Sequence, residues 1–214
     1  MKQVAVIGLG RFGSSVARTL AESGCEVLAI DVDESRVKAI ADDVTDAVRA
    51  NVLEEEALRS LGLRNFEVVV VAIGHQVEAS ILVTVLLKEM GIPRIVAKAQ
   101  DELHGRVLQK VGADIVVFPE RDMGIRLAHT LLSRNVIDEI QLSTDYSILE
   151  MVVPYRFLRR SLKELELRQR FGLSVLAIRR GERIIVSPEA GQTLEEGDIL
   201  VALGQPEKLE RLNE

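Results

Sequence analysis

Short apolar runs alternate with longer stretches of helical spacing from Val4 to about Glu120. The runs VAVIG (4–8), VLAID (27–31), AVRAN (47–51), VVVVAIG (68–74), RIVAKA (94–99) and DIVVFP (114–119) read as six strands. Several are apolar at successive positions, so both faces of the strand must be covered, as in a buried parallel sheet. Between them, Phe12, Val16 and Leu20 share one face of a first helix, and Ile81, Val85 and Leu87 help build an apolar face on a later one. Strands alternating with helices of this length predict right-handed βαβ units. The fold class expected for residues 1–120 is α/β, a Rossmann-like doubly wound parallel sheet.

The pattern changes after Pro119. ERDMGIRLAHTLLSRN (120–135) reads as one more helix, a linker over 121–136, with Ile125, Leu127, Ala128, Leu131 and Leu132 spread broadly around it. Such coverage suits a core helix, and it also suits a helix that contacts a second subunit. Beyond it, IQLSTDYSILEMVVP (140–154), LSVLAIRRGERIIVSPEAG (173–191) and GDILVALG (197–204) read as alternating strands. Turn signals stand at Arg180-Gly181-Glu182 and Gly197-Asp198. RRSLKELELRQRFG (159–172) reads as a short amphipathic helix and PEKLERLNE (206–214) as another. Residues 137–214 are therefore expected to form a smaller α+β lobe.

Composition narrows the partners. A net charge of −6 argues against electrostatic binding to nucleic acid or anionic lipid as the main activity. Aromatic residues are only 3% of the chain and tryptophan is absent, so base-stacking platforms are poorly supplied. The single cysteine, Cys25, excludes an internal disulfide and a thiolate zinc site and fits a reducing compartment. The chain opens directly into a strand, which leaves no signal peptide, and its longest apolar runs are far too short to span a bilayer. A soluble, cytoplasmic chain is expected.

Candidate chemistry concentrates at the first strand–helix join. Gly8, Gly10 and Gly13 fit G-x-G-x-x-G there. The first glycine permits a sharp turn, the second a close backbone approach to phosphate, and the third tight packing of helix on sheet. Asp31 ends the second strand at the distance where a carboxylate meets ribose hydroxyls, and it would repel a 2′-phosphate. Asp33 stands just beyond and would share that role or cap the next helix. Arg11, inside the loop, offers a guanidinium to phosphate charge beyond what backbone amides serve, as in ATP or ADP.

Other candidates sit where strands end, the usual place for ligands in such sheets. These are Asn51, Gly74, His75, Lys98 and Glu120. Gly74 would let backbone pass near the nucleotide, and His75 reads as an exposed loop residue. Lys98, inside a buried strand, needs a partner or a phosphate. Glu120 would meet Arg11, cap the following helix, or help hold a divalent cation such as Mg²⁺ or Ca²⁺.

The stretches VAVIGLGRFG, EVLAIDVD, RNFEVVVVAIG, IVAKAQ and GADIVVFPERDMG together resemble the RCK (KTN) regulator-of-potassium-conductance family, in particular the cytosolic subunits of Ktr- and Trk-type bacterial potassium transporters. The resemblance covers the whole chain. It implies a nucleotide site lined by Gly8, Gly10, Arg11, Phe12, Gly13, Asp31, Asp33, Asn51, Ala72, Ile73, Gly74, Lys98 and Glu120. ATP or ADP is the implied ligand, with NAD or NADH as the alternative, Arg11 at the terminal phosphate and Glu120 near a divalent cation at a dimer interface. It also implies dimers assembled into an octameric ring beneath an integral-membrane potassium-translocating partner, at the inner face of the membrane. Many members bind cyclic di-AMP in the C-terminal lobe. Of that motif the chain keeps Leu162 and Arg168, but carries Lys163, Glu166 and Ser174 where the motif prefers an apolar residue, an aspartate and an asparagine.

Two other functions fit less well. An NAD-dependent dehydrogenase needs a second lobe bringing an acid or base to the nicotinamide, and no histidine follows His129. A DNA-binding repressor needs a basic recognition helix, which an acidic chain of this kind lacks. A switch rather than an enzyme is expected.

Overall fold

The computed structural model describes residues 2–132, 136–143 and 145–205, with the side chains of residues 129 and 132 left aside. The chain divides into two compact units, residues 1–121 and 122–214. The expected helix over 206–214 lies outside the described residues.

The first unit is built on six strands: β1 (Gln3–Ile7), β2 (Glu26–Asp31), β3 (Asp46–Arg49), β4 (Val68–Val71), β5 (Ile95–Lys98) and β6 (Ile115–Val117). They form one sheet in the order β3-β2-β1-β4-β5-β6, and every pairing is parallel. Successive side chains of β1 enter opposite cores, as the two-residue period of a strand requires. Val4 and Val6 join Phe12, Val16 and Leu20 of α1 (Arg11–Glu22) and Val37 of α2 (Glu34–Lys38). Ala5 and Ile7 join Leu58 of α3 (Glu55–Ser60), Val83 and Leu87 of α4 (Val77–Glu89) and Leu108 of α5 (Glu102–Val111). The expected doubly wound sheet is therefore present.

Several strands are shorter than the apolar runs suggested. The strand within 47–51 ends at Arg49, and that within 68–74 at Val71. The run 114–119 yields β6 over three residues, and Pro119 opens the next helix, α6 (Pro119–Leu132), where its missing N–H costs nothing. Residues 133–135, the expected end of that helix, lie outside the described residues. The backbone beyond Val71, its Ala72 N–H still bonded to the Ile7 carbonyl at 2.7 Å, becomes a wall of the site described below.

The α6 helix corrects the core-helix expectation. Met123, Ile125, Leu127 and Leu131 are all exposed, with Leu131 at 76%. The broad apolar coverage finds no core among the described residues.

The second unit holds a five-stranded antiparallel sheet in the order β10-β9-β11-β8-β7. Its strands are β7 (Val136–Gln141), β8 (Ser147–Val152), β9 (Ser174–Arg180), β10 (Arg183–Val186) and β11 (Ile199–Gly204). Arg180 pairs with Arg183 across a two-residue hairpin, and Gly181 supplies the positive φ of +57° that such a turn needs. One sheet face packs Leu149, Met151, Ile178 and Leu200 against Leu165 and Leu167.

The expected single helix over 159–172 is instead two short ones, α7 (Leu162–Leu165) and α8 (Leu167–Phe171), broken at Glu166 with φ +48°. Leu165 and Leu167 are both buried in one core. Two positions apart on a continuous helix they would point to opposite sides, so the break lets both face inward. Ser161 and Glu164 close a capping box at the start, and Gly172 ends the pair in the left-handed region.

Candidate nucleotide-binding site

The first connections from β1 and from β4 leave the sheet on opposite faces, α1 on one and α4 on the other. Adjacent strands with opposed connections leave a crevice at their carboxyl ends. A cavity of about 550 Å³ opens there. Gly8, Gly10, Arg11 and Phe12 line it from the β1–α1 turn, and Asp31, Val32, Asp33 and Arg36 from the end of β2. Asn51 and Leu53 follow from beyond β3, Ala72, Ile73, Gly74 and His75 from beyond β4, Lys98 from β5 and Glu120 from α6. Every residue expected for the nucleotide site thus borders one cavity except Gly13, which lies beneath the loop.

The three glycines have separate roles. Gly8 turns at φ +95°, and a Cβ there would stand 3.0 Å from the Ala72 backbone. A Cβ on Gly13 would stand 1.8 Å from the Gly8 carbonyl oxygen, so only glycine lets α1 pack this close. Gly10 has no atom within 4 Å of its Cβ position. The space over Gly10 is open, at the point where a phosphate would approach. It is also the N-cap of α1, with no capping side chain and no acid in the first turn. The first-turn amides are left to an anion.

Arg11 is exposed and makes no hydrogen bond or ion pair with another described residue. Asp31 is 9% exposed, and loop amides hold both of its carboxylate oxygens: Leu9 N donates to Oδ2 at 2.7 Å and Asp33 N to Oδ1 at 2.9 Å. Oδ2 also accepts from Arg36 Nη1 at 3.5 Å, and Oδ1 keeps a lone pair for a ribose hydroxyl. Asp33 takes the capping role: its carboxylate accepts from Ser35 N at 2.8 Å and Ser35 Oγ at 2.6 Å. Those two bonds hold its carboxyl below the ordinary aspartate value. Asn51 closes its own turn, donating to Glu54 at 2.8 Å.

Lys98, buried as its strand demands, finds its partner in Glu120 at 2.5 Å, and its ammonium lies 5.8 Å from the Phe12 ring centroid. The Lys98 hydrogen bond, helped by the charges of Lys98 and Arg11, holds the Glu120 carboxyl below the ordinary glutamate value against the opposing effect of burial. Of the options open to Glu120, the structure brings it to Lys98. Among the described residues no group of three or more His, Cys, Asp or Glu side chains is placed to hold a metal ion.

Arg36, Val32 and Leu53 are among the lining residues that escaped the sequence reading. Arg36 sits 3.5 Å from Asp31 and 3.6 Å from Asp33, a spacing from the acids of DVDESR that a helical count would have revealed. Val32 and Leu53 are exposed apolar side chains at the cavity, fit for the flat face of a base. Nothing local distinguishes them from core positions. The second-ligand candidates lie in the other unit, Leu162 half-buried on α7 and Arg168 exposed on α8.

The TrkA-N domain matches residues 4–119 and the TrkA-C domain residues 148–214. The chain belongs to the TrkA-N/TrkA-C domain family. Within that family, Ktr system potassium uptake protein C of Bacillus subtilis (strain 168) is 45% identical over 210 residues, covering 98% of this chain and 95% of the relative. Among solved structures, the GsuK RCK domain superposes with a TM-score of 0.69 at 18% identity, over 99% of this chain and 46% of that one. The GsuK channel bound to NAD gives 0.68 at 18% identity, over 99% and 39%. This TrkA-N/TrkA-C chain spans less than half the length of those two chains, and at such identity they establish the RCK fold alone.

Proposed function

We propose that this chain is the nucleotide-sensing regulatory subunit of a membrane potassium-uptake system. An adenine nucleotide, ATP or ADP, occupies the N-terminal cavity, and the state of the ligand sets whether the partner conducts. The observation that carries this is the pairing of an open phosphate approach at Gly10 with the exposed guanidinium of Arg11, which makes no hydrogen bond or ion pair with another described residue. The Bacillus subtilis relative, which matches this chain along nearly its whole length, is named for potassium uptake.

In this reading the α1 amides hold the inner phosphates, Asp31 receives the ribose, and Val32 and Leu53 cover the base. Arg11 reads the outermost phosphate. A ligand shifts a conformational equilibrium only through its different affinity for the two states, so the group that meets the distinguishing phosphoryl decides the signal. The exposed stripe Met123, Leu127 and Leu131 of α6 supports assembly with further copies, dimers building an octameric ring. No helix of the described residues is long and apolar enough to cross a membrane, and the proposal places the chain at the inner face through its partner. No step is assigned to a divalent cation at Glu120 or to cyclic di-AMP at Leu162 and Arg168.

Titration with ATP, ADP, NAD and NADH tests the proposal. Arg11→Ala is expected to lose about tenfold in ATP affinity, the worth of a charged hydrogen bond, with ADP affinity little changed. Equal ATP and ADP affinities in the unaltered protein would remove the switch. Preference for NAD or NADH, with turnover of an added hydroxy acid, would favour the dehydrogenase.

A further inference from the structure

His104 belongs to the first turn of α5, is 3% exposed, and has no part in the site so far described. Its backbone N–H donates to the capping carboxylate of Asp101 at 2.8 Å. Its ring turns back over the cap, where Nδ1 accepts from the backbone N–H of Gln100 at 3.2 Å. An accepting Nδ1 carries no proton, so the proton of the neutral ring is on Nε2. That Nε2 is buried without a partner among the described residues. Gln100 carries the constraint onward: its side-chain amide donates to the carbonyl of Gly74, a wall of the cavity.

We propose that His104 is a positioning residue for the nucleotide site, holding Gln100 and through it the Gly74 wall while its ring is neutral, and releasing both when protonated. This rests on the nucleotide reading given above. Protonation would set an Nδ1–H against the Gln100 N–H, two donors face to face, and would bury a cation whose Nε2–H has no acceptor. The wall then loses its anchor, and nucleotide affinity falls in mild acid.

The surroundings favour the neutral ring. The α4 helix, packed on α5, turns Ala79, Ser80, Val83, Thr84 and Leu87 inward, none of them titratable in this range. Its charged residues Glu78, Lys88 and Glu89 are not among those buried positions. Strand β6, also against α5, carries only Ile115, Val116 and Val117. On α5 itself Glu102 pairs with Arg121, and Arg106 and Lys110 are cationic. Burial pushes the imidazole below the ordinary histidine value, and the Asp101 carboxylate opposes that without cancelling it. With the held value depressed, the arrangement is fully favoured above the ordinary histidine value and weakens as pH falls below it.

The test compares full-length protein, His104→Asn, which keeps an acceptor near Nδ1 but cannot titrate, and Gln100→Leu, which cuts the link to Gly74. ADP binding is measured from about pH 7.5 to about pH 5.5, spanning the histidine range. The unaltered protein is expected to lose about fivefold more affinity than His104→Asn across that range, the worth of one hydrogen bond. Gln100→Leu is expected to bind weakly throughout and to show no excess pH dependence. Identical pH curves for the unaltered protein and His104→Asn would overturn the proposal, and phosphate titration cancels between them. Hydrogen exchange on the ligand-free protein, corrected for intrinsic rates, gives a second readout. Loss of protection around Gly74 and Gln100 in acid, absent from His104→Asn, supports the clamp, and unchanged protection overturns it. Failure of every nucleotide to bind at any pH would instead sink the nucleotide reading, and hydrogen exchange would still judge the clamp.

Discussion

Gly13→Ala is expected to abolish nucleotide binding and to lower the melting temperature of the N-terminal lobe by about 10 °C or more. A Cβ at this position would stand 1.8 Å from the Gly8 carbonyl oxygen and 3.0 Å from the Ala72 Cβ. The first contact is with backbone, which has no rotamer to give. The α1 helix must therefore lift from the sheet, at about 3 kcal/mol or more for a clash this deep. Lifting α1 carries Gly10, Arg11 and the first-turn amides away from the crevice. The companion change Gly10→Ala separates the two effects. Its Cβ meets no atom within 4 Å and its φ of −69° suits any residue, so the lobe should melt as before. The methyl would nonetheless occupy the phosphate approach, and affinity should fall. Thermal melts and titrations on the two variants check this, and an unshifted melt for Gly13→Ala would refute the packing role of that glycine.

The second large effect is expected in the other lobe, where Asp198→Ala should cost about 2–4 kcal/mol. Asp198 is fully buried. Arg180 Nε and Nη2 donate to its two oxygens, each at 2.8 Å, and the Glu195 N–H donates to Oδ2 at 2.8 Å. The same guanidinium reaches the Thr193 carbonyl at 3.0 Å, so β9 and the 193–198 segment are joined through one side chain. Removing the carboxylate leaves the Glu195 amide and two guanidinium N–H directions without an acceptor, while Glu195 and the Thr193 carbonyl still hold the arginine. The Arg180 side chain retains 29% exposure, which is why the lower part of the range for broken buried pairs applies.

Acid should erase the difference. Burial pushes the Asp198 carboxyl up, but the Arg180 hydrogen bond, the Glu195 amide and the Arg180 charge outweigh it and leave it below the ordinary aspartate value. A carboxyl depressed in the folded state contributes stability above its unfolded value and loses it as pH falls through the folded one. Denaturation of the unaltered protein and the variant at neutral pH and near pH 3 should show the gap closing in acid. A gap of equal size at both would mean that the carboxylate charge is not what holds the segment.

The parts of this protein legible in its sequence share a physical character. Gly8, Gly10 and Gly13 answer to sterics within a few residues of themselves, and β1 and β2 declare burial on both faces through unbroken apolar runs. Asp31 was placed by its count from the loop, and Lys98 by the rule that a buried cation needs a partner. What that rule did not name was the partner. Glu120 lies 22 positions away, and whether it reached Arg11, a metal ion or Lys98 depended on how β5 and α6 meet.

Other features turned on the same distinction. The pattern over 159–172 carries enough helical spacing to suggest one helix, and only a core that admits both Leu165 and Leu167 breaks it at Glu166. Arg180 and Asp198 each sat in a turn signal, with nothing nearby to announce that the two turns are joined. The apolar coverage of α6 suited a core helix, and only exposure showed that Met123, Ile125, Leu127 and Leu131 stay uncovered within one chain. The sequence by itself determined the elements, the order of the parallel lobe before the antiparallel one, and the phosphate-ready loop, because periodicity and backbone sterics act over a handful of residues. Tertiary structure alone decided which charges pair, where helices break and which apolar faces stay uncovered, because those outcomes depend on distances between segments that no local pattern encodes.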